Sequence, residues 1–147
     1  MIALAGPAAS AALGARIAAL ARAGDVVTLS GPLGAGKTSI ARGLLAALGL
    51  AGEAPSPTFA LVQPYAPPEI AFSVLHVDLY RIEDPAEMDE LGLDEARIDS
   101  LLLVEWPERA PGRWPDALRL VLEFAEDGGR TLTVDRPGAW RDRWPLT

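Results

Sequence analysis

Gly31-Pro32-Leu33-Gly34-Ala35-Gly36-Lys37-Thr38 is the stretch that decides the fold. It follows the apolar run 26–29 and precedes a segment, 39–48, in which leucines recur at helical spacing. A Gly-x-x-x-x-Gly-Lys-Thr sequence between a strand and a helix is the pattern of a phosphate-binding loop. The alternative is an ordinary glycine-rich turn, but so specific a pattern should arise by chance in only about one in a few hundred chains of this size. The stretch therefore predicts that the chain binds a nucleotide.

Each residue type in this loop has a physical role. Gly31, Gly34 and Gly36 allow positive φ angles and a close approach of the backbone to a ligand. The loop amides and the N-terminus of the following helix form a nest for phosphate oxygens. Lys37 supplies a mobile positive charge, and the Thr38 hydroxyl is placed to hold Mg²⁺. Lys37 is also the only lysine, because the other 12 of the 13 basic residues are arginine.

The composition predicts a single globular domain that spans residues 1–147. The absence of cysteine excludes disulfides and thiolate chemistry, and the single histidine, His76, excludes a histidine-cluster metal site. A net charge of −7 argues against a domain that grips nucleic acid by itself, since such binding depends on clustered basic residues. A role near RNA would therefore act through a protein partner.

The hydrophobic pattern gives no sign of a membrane protein. No apolar run approaches the roughly 18 residues of a membrane span. The alanine-rich N-terminal segment is interrupted by Arg16 and Arg22 and lacks a basic start, so it is interpreted as structural rather than as a targeting signal. The predicted location is the cytoplasm, and the chain alone is expected to be monomeric.

Periodicity and turn residues predict alternating helices and strands. The predicted helices cover 8–23, 39–48 and 93–98, and a further short helix runs from the N-cap Asp84 through Pro85 and Glu87 to about Gly92. The predicted strands cover 26–30, 59–63, 72–80 and 101–104. A predicted hairpin follows at 119–124 and 131–134. Pro64, Pro67 and Pro68 are expected to break the chain around Tyr65, and the tail from Pro137 supports no prediction. The pattern indicates an α/β fold of the P-loop NTPase type, with three layers, a mostly parallel central sheet and a C-terminal antiparallel hairpin.

Two carboxylates are candidates for the metal side of the site. Such sites usually place a carboxylate at the end of a buried strand beside the phosphate loop. Glu105 follows four apolar residues and is predicted to hold the metal with Thr38. Asp78 ends an alternating strand and is predicted to support hydrolysis by orienting water or sensing the γ-phosphate. Each could instead be a solvated carboxylate at a strand end.

A third candidate element is the segment Ser56-Pro57-Thr58-Phe59. In P-loop NTPases the connection after the first helix often carries a hydroxyl that meets Mg²⁺ or the γ-phosphate and becomes ordered on binding. An ordinary proline-rich loop explains the residues equally well, so both interpretations stay open on the residues alone.

A set of ordered motifs resembles the TsaE family of small bacterial ATPases in tRNA threonylcarbamoyladenosine biosynthesis. These motifs are the phosphate loop, Ser-Pro-Thr-Phe (56–59), His-Val-Asp-Leu-Tyr-Arg (76–81), Asp-Pro-Ala-Glu (84–87), Glu-Leu-Gly-Leu (90–93) and Leu-Val-Glu-Trp-Pro-Glu-Arg (103–109). The resemblance extends from about Ser10 to Arg130. A phosphate loop alone indicates only a superfamily, whereas the ordered set is far more specific.

The resemblance implies a function. TsaE proteins act with TsaD and TsaB to attach threonylcarbamoyl to the adenosine beside the anticodon in tRNAs that read A-starting codons. ATP binding drives association with the TsaD–TsaB pair and hydrolysis resets the complex, so tRNA is met only indirectly. By position, the implied catalytic residues are Lys37, Asp78 and Glu105, the implied Mg²⁺ ligands are Thr38 and Glu105, and the implied ATP-binding residues are Ser10, Gly34, Ala35, Gly36, Lys37, Thr38, Ser39, Thr58, Trp106 and Arg130.

The chain departs from the family pattern at two positions. Pro32 stands where the family usually has Asp or Asn, and it removes one backbone donor from the loop. Ser10 stands where Thr is common, but it keeps the hydroxyl.

Two other functions share the phosphate loop. A small P-loop kinase would also need an acceptor pocket and usually an arginine-bearing lid, and no arginine-rich lid stands out. A non-hydrolysing module would sense nucleotide occupancy without turnover. No arginine is an obvious catalytic finger, so a partner is expected to complete an ATPase site.

Overall fold

The computed structural model describes residues 2–52, 62–84 and 86–143. In chain order the elements are β1 (Ile2–Leu4), α1 (Pro7–Leu20), β2 (Val26–Ser30), α2 (Lys37–Ala47), β3 (Val62–Tyr65), β4 (Val74–Asp78), α3 (Glu87–Glu90), α4 (Leu93–Ala96), β5 (Leu101–Glu105), a 3-10 helix (Pro107–Arg109), β6 (Leu118–Phe124), β7 (Arg130–Asp135) and α5 (Ala139–Arg143).

The seven described strands form one sheet in the order β1-β7-β6-β2-β5-β4-β3. The four central strands β6, β2, β5 and β4 are parallel. Antiparallel strands flank these four, with β3 beside β4 on one side and, on the other, β7 in a hairpin with β6 and β1 beyond it. The predicted α/β class, with a mostly parallel centre and a C-terminal hairpin, is confirmed.

Helices cover the two faces of this sheet. Leu29 and Leu103 pack with α1 and α2 in one core cluster, which also contains Leu13, Ile17, Ile40 and Leu44. Leu102 and Val104 point to the opposite face and pack with Met88 of α3 and Leu93 of α4. The central strands are therefore buried on both faces, which explains why residues 101–104 form a continuous apolar run.

Two glycines set the distance between α1 and α2. A Cβ atom on Gly14 would lie 2.1 Å from the Ile40 carbonyl oxygen, and one on Gly43 would lie 2.1 Å from the Ala11 carbonyl oxygen. Any larger side chain at either position would push the helices apart, because the obstructing atoms belong to the backbone. Since α2 begins at Lys37, this close crossing also positions the phosphate loop against α1.

Several predicted boundaries differ from the structure. The strand ends at Tyr65, close to the predicted break, but the prediction that Pro64 contributes to this break was wrong, because Pro64 lies within β3 opposite Leu75. Proline is tolerated there because β3 is an edge strand of the described sheet. The strand predicted over 72–80 is limited to β4. The short helix predicted from Asp84 begins at Glu87, and the Asp84 side chain accepts a hydrogen bond from the Ala86 amide, 3.0 Å away.

Two elements were not predicted from the sequence. Strand β1 contains three residues and pairs with β7, so that Leu4 lies opposite Arg130. Helix α5 buries Trp140, which the sequence left unassigned in the tail. Among the helices in the described part of the chain, none has the length and apolar character that crossing a membrane requires.

Candidate functional site

The phosphate loop joins the end of β2 to the start of α2. Gly31, Gly34 and Gly36 have φ angles of 144°, 80° and 107°, a region that favours glycine. Gly36 is the N-cap of α2, and no side chain of the described residues caps that first turn. The first amides of α2 are therefore left as donors for an anion, at the positive end of the helix dipole.

Lys37 is buried at the mouth of this loop, with 5% of its surface exposed. Its ammonium donates a hydrogen bond to the Gly31 carbonyl oxygen and lies 3.6 Å from the centre of the Trp106 ring. Trp106 follows Glu105 and has a φ angle of 61°, which is uncommon for a residue other than glycine. Its amide donates to the Leu29 carbonyl oxygen at 3.2 Å, which joins this turn to the end of β2.

The two predicted carboxylates lie side by side on adjacent parallel strands. Asp78 of β4 is directly opposite Glu105 of β5, and both are more than nine-tenths buried. The carboxyl ends of parallel strands meet at one edge of a sheet, and the phosphate loop follows β2 at that same edge. Glu105 Oε1 lies 3.5 Å from Thr38 Oγ1, while Asp78 Oδ1 accepts the Tyr80 amide at 2.9 Å.

His76 is a site neighbour that sequence reasoning did not identify. Its Nε2 lies 2.6 Å from Glu105 Oε2, and the side chain is fully buried. His76 and Asp78 are two residues apart in β4 and therefore lie on the same face of that strand. The contact with Glu105 could be found only once β4 and β5 were known to be neighbours in this register.

Burial shifts the pKa of two charged groups in the site, Lys37 and Asp78. The pKa of the Lys37 ammonium is lowered by its removal from water, and nearby carboxylates, with Glu105 first, oppose this shift. Burial likewise raises the pKa of the Asp78 carboxyl, against the hydrogen bond from the Tyr80 amide. Both shifts show a site whose charges are partly desolvated, where a bound anion or cation would interact strongly.

A cavity of about 240 Å³ contains these groups. Its lining residues are Leu33, Gly34, Gly36, Lys37, Thr38, Ser39, Asp78, Glu105 and Trp106. A second cavity of about 220 Å³ shares Gly34, Gly36 and Ser39 with it and extends to Ser10, Gly128 and Arg130. The two cavities therefore continue one another across the phosphate loop.

Arg130 connects the hairpin to the phosphate loop. Its guanidinium donates to the Gly34 carbonyl oxygen at 3.2 Å and to the carbonyl oxygens of Gly128 and Gly129 at 2.9 and 3.0 Å. The Phe124 ring lies 4.5 Å from the guanidinium carbon. Ser10, 2% exposed, also lines the second cavity.

The donors present fit a magnesium–nucleotide pair. The described residues contain no cluster of three or more His, Cys, Asp or Glu side chains that could hold a metal alone. Thr38 and Glu105 instead offer two oxygen donors beside open phosphate-binding amides. Mg²⁺ is commonly bound by one or two protein oxygens, with phosphate and water completing its shell. The arrangement can therefore hold a phosphate chain and a hard divalent cation together.

The structure thus brings together most of the predicted site residues. Gly34, Ala35, Gly36, Lys37, Thr38, Ser39, Asp78, Glu105 and Trp106 lie around the phosphate loop, and Ser10 and Arg130 border the adjoining cavity. Thr58 and the rest of the segment 56–59 lie outside the described residues. The roles assigned to all these residues remain predictions.

Comparison with known proteins decides the family. The family model for the threonylcarbamoyl adenosine biosynthesis protein TsaE matches residues 4–132. The chain belongs to the TsaE family. A curated TsaE protein from Streptomyces coelicolor is 41% identical over 138 residues, which cover 90% of this chain and 91% of that protein. A TsaE protein from Haemophilus influenzae is 42% identical over 105 residues, which cover 69% of this chain and 65% of that protein.

A solved structure has the same fold along almost the whole chain. The crystal structure of Bacillus subtilis YdiB matches 97% of this chain and 88% of its own, with a TM-score of 0.80 and 29% sequence identity. The TsaE model match includes both cavities and every candidate site residue. Helix α5 lies beyond its end at residue 132.

Proposed function

We propose that this TsaE-family chain is a Mg²⁺-dependent ATPase that serves the threonylcarbamoylation of tRNA. In this proposal it acts with TsaD and TsaB on the adenosine next to the anticodon in tRNAs that read A-starting codons. ATP binding assembles the complex and hydrolysis resets it, and tRNA is contacted through the complex. The chain would be monomeric alone and located in the cytoplasm. Family membership supports the pathway, and the geometry of the phosphate loop supports the ATPase.

One observation carries the hydrolytic part of the proposal. Thr38 Oγ1 and Glu105 Oε1 lie 3.5 Å apart in a cavity that also contains Lys37 and Asp78. A nucleotide-sensing module needs the phosphate cradle alone. An ATPase also needs metal oxygen donors and a carboxylate near the γ-phosphate, and those are the groups assembled here.

In the reaction we propose, a water oxygen bonds to the γ-phosphorus while the bond from that phosphorus to the bridging oxygen of ADP breaks. The loop amides and Lys37 stabilise the charge that develops on the phosphate oxygens. Thr38 and Glu105 would hold Mg²⁺, and the bound ion would supply positive charge against the phosphate oxygens. Asp78 orients the attacking water by accepting its hydrogen bond.

The ATPase proposal is tested by Mg²⁺-dependent ATP turnover in the presence of TsaD and TsaB. Replacing Glu105 with alanine is expected to lower turnover tenfold or more, because a metal ligand contributes more than about 1.4 kcal/mol to transition-state stabilisation. Glu123→Ala is the matched control, since Glu123 is an exposed carboxylate on β6. Equal turnover in the Glu105→Ala variant and the wild type would favour a nucleotide-sensing module. ATP consumption matched by a phosphorylated small molecule would instead indicate a kinase.

The pathway is tested by reconstitution. Threonylcarbamoyl-tRNA synthesis is measured with TsaD, TsaB and the enzyme that forms threonylcarbamoyl-AMP, with and without this protein. Multiple-turnover synthesis is expected to require the wild-type chain and to fail with Lys37→Ala. Unchanged synthesis when the protein is omitted would contradict the proposed function.

A further inference from the structure

His76 is a buried polar side chain to which the proposed hydrolysis gives no role. It lies on β4 opposite Leu103 of β5, and its exposed fraction is 0%. Residues 103 and 105 share a face of β5, so the imidazole extends along that face toward Glu105. Burial of an imidazole among apolar side chains is costly unless it forms a hydrogen bond. Its position therefore depends on the carboxylate that it meets.

The two oxygens of Glu105 have different partners. Oε2 lies 2.6 Å from His76 Nε2, and Oε1 lies 3.5 Å from Thr38 Oγ1. An ionised carboxylate can only accept hydrogen bonds, so the imidazole donates from Nε2. His76 Nδ1 has no hydrogen-bond partner among the described residues. The imidazole therefore makes one directed contact, and that contact occupies the oxygen that faces away from Thr38.

We propose that His76 is a positioning residue for the metal site. By donating from Nε2 to Oε2, it fixes the rotation of the Glu105 carboxylate and leaves Oε1 directed toward Thr38 and Mg²⁺. The inference rests on the proposed function, because the orientation of Glu105 matters only where Mg²⁺ and nucleotide bind. Hydrogen bonds that orient a metal-binding side chain commonly change metal affinity or activity by about 10- to 100-fold when removed.

The first test observes the imidazole directly. His76 is the only histidine in the chain, so ¹⁵N-histidine labelling gives a single imidazole in the NMR spectrum of the wild-type protein. We expect the pattern of an imidazole with its proton on Nε2, and a Nε2 resonance that shifts when Mg²⁺ is added to the nucleotide complex. The tautomer preference should be lost in Glu105→Ala. A mixture of tautomers in the wild type, or no Mg²⁺-dependent shift, would overturn the proposal.

The second test separates positioning from packing. His76→Met and His76→Gln place side chains of similar length at the site, but only glutamine keeps an N–H donor. Calorimetry measures the affinity for a non-hydrolysable ATP analogue at a series of Mg²⁺ concentrations. The readout is the Mg²⁺ concentration that gives half of the maximal increase in this affinity. His76→Met should raise that concentration about tenfold, and His76→Gln should stay within about threefold of wild type. Nucleotide affinity without Mg²⁺ should not change in either variant.

A purely structural histidine would give a different result. Both variants would then lower the melting temperature while the Mg²⁺ dependence stayed at the wild-type value, and the proposal would be wrong. If His76→Met does not fold, the Mg²⁺-dependent shift in the wild-type spectrum decides. If the wild type shows no Mg²⁺-dependent nucleotide binding, the proposed function fails together with the inference. If the wild type does show it, but both His76 variants need the same Mg²⁺ concentration as the wild type, the inference alone fails.

Discussion

The ammonium nitrogen of Lys37 lies over the Trp106 ring, 3.6 Å from its centre, and donates to the carbonyl oxygen of Gly31. The ring and the carbonyl oxygen both belong to the protein, and they are the contacts of an ammonium group that is largely removed from water. A nucleotide in this cavity would offer Lys37 phosphate oxygens, which form stronger charge-assisted contacts than a neutral carbonyl oxygen. Ligand binding should therefore draw the ammonium away from the ring.

The environment of Trp106 should report nucleotide binding. We expect Mg²⁺-ATP to change the tryptophan fluorescence of the wild-type protein, because the nearby cation moves and phosphate enters the cavity. Trp106→Phe should remove most of this change, since the other two tryptophans that the structure describes, Trp114 and Trp140, are buried in the core. A nucleotide-induced change of equal size in Trp106→Phe would show that another tryptophan is responsible.

Lys37 should not be replaceable by arginine. Lys37→Ala is expected to weaken ATP binding about 10- to 100-fold, because hydrogen bonds to charged groups contribute about 1.5–3 kcal/mol. Lys37→Arg should recover little of this loss, because a planar guanidinium needs more space and more partners than a compact ammonium. Calorimetric titration measures both affinities. Arg16→Ala, which removes an exposed cation from α1, should bind ATP like wild type.

The phosphate loop, Glu105 and the central strands could be predicted because each is encoded locally. A glycine pattern specifies a loop, and an uninterrupted apolar run that ends in a carboxylate specifies a buried strand with a polar tip. The contact between His76 and Glu105 could not be predicted, because it depends on which strands are neighbours and in which register. Strand β1 was missed for the same reason, since its three residues are defined by pairing with β7.

The close crossing of α1 and α2 should be sensitive to one added carbon. Gly43→Ala would place a Cβ atom against the Ala11 carbonyl oxygen, and the resulting overpacking should destabilise the fold by about 1–3 kcal/mol. ATP binding should weaken as well, because α2 carries Lys37 in its first turn. Urea denaturation and calorimetry measure the two effects. Ala12→Ser adds one atom to the exposed side of α1 and should change neither quantity.

Arg143 should hold the C-terminal helix in place. Its guanidinium donates to both oxygens of Asp25, at 2.6 and 3.0 Å, and to the Leu20 carbonyl oxygen, at 2.9 Å. Because the Asp25 and Arg143 side chains are only 15% and 12% exposed, Arg143→Met should cost about 1–3 kcal/mol of unfolding free energy. Arg141→Met on the exposed side of α5 is the control. Urea midpoints that agree for the two variants would contradict this role.

The pair formed by Arg97 and Asp116 should make a small, acid-sensitive contribution to stability. The hydrogen bond from Arg97 lowers the pKa of the Asp116 carboxyl below its ordinary value. The stabilisation of the fold by this pair is therefore complete above the ordinary pKa of an aspartate, and it is lost as the pH falls through the lowered pKa of Asp116. Because Asp116 is 58% exposed, Asp116→Asn should cost only about 0.2–1 kcal/mol near neutral pH. Urea denaturation at neutral and acidic pH should show the difference from wild type disappearing in acid.

The tail shows a second limit of local sequence patterns. Trp140 is buried although Ala139 and Arg141 on either side of it are exposed, and no periodicity predicted the helix that carries it. Arg143 reaches Asp25, and its guanidinium carbon lies 4.1 Å from the centre of the Trp140 ring. The contact between Arg143 and Asp25 joins residues more than a hundred positions apart, so only the folded chain specifies it.

Lys37 has a practical consequence for experiments that map protein complexes. It is the only side-chain amine in the chain, and it is buried in the phosphate cavity. Cross-linkers that react with lysine will therefore find almost no attachment point on the surface of this protein, whichever protein it binds. Reagents that couple through carboxylates have 20 acidic residues to use, and they are the better choice for locating its partners by mass spectrometry.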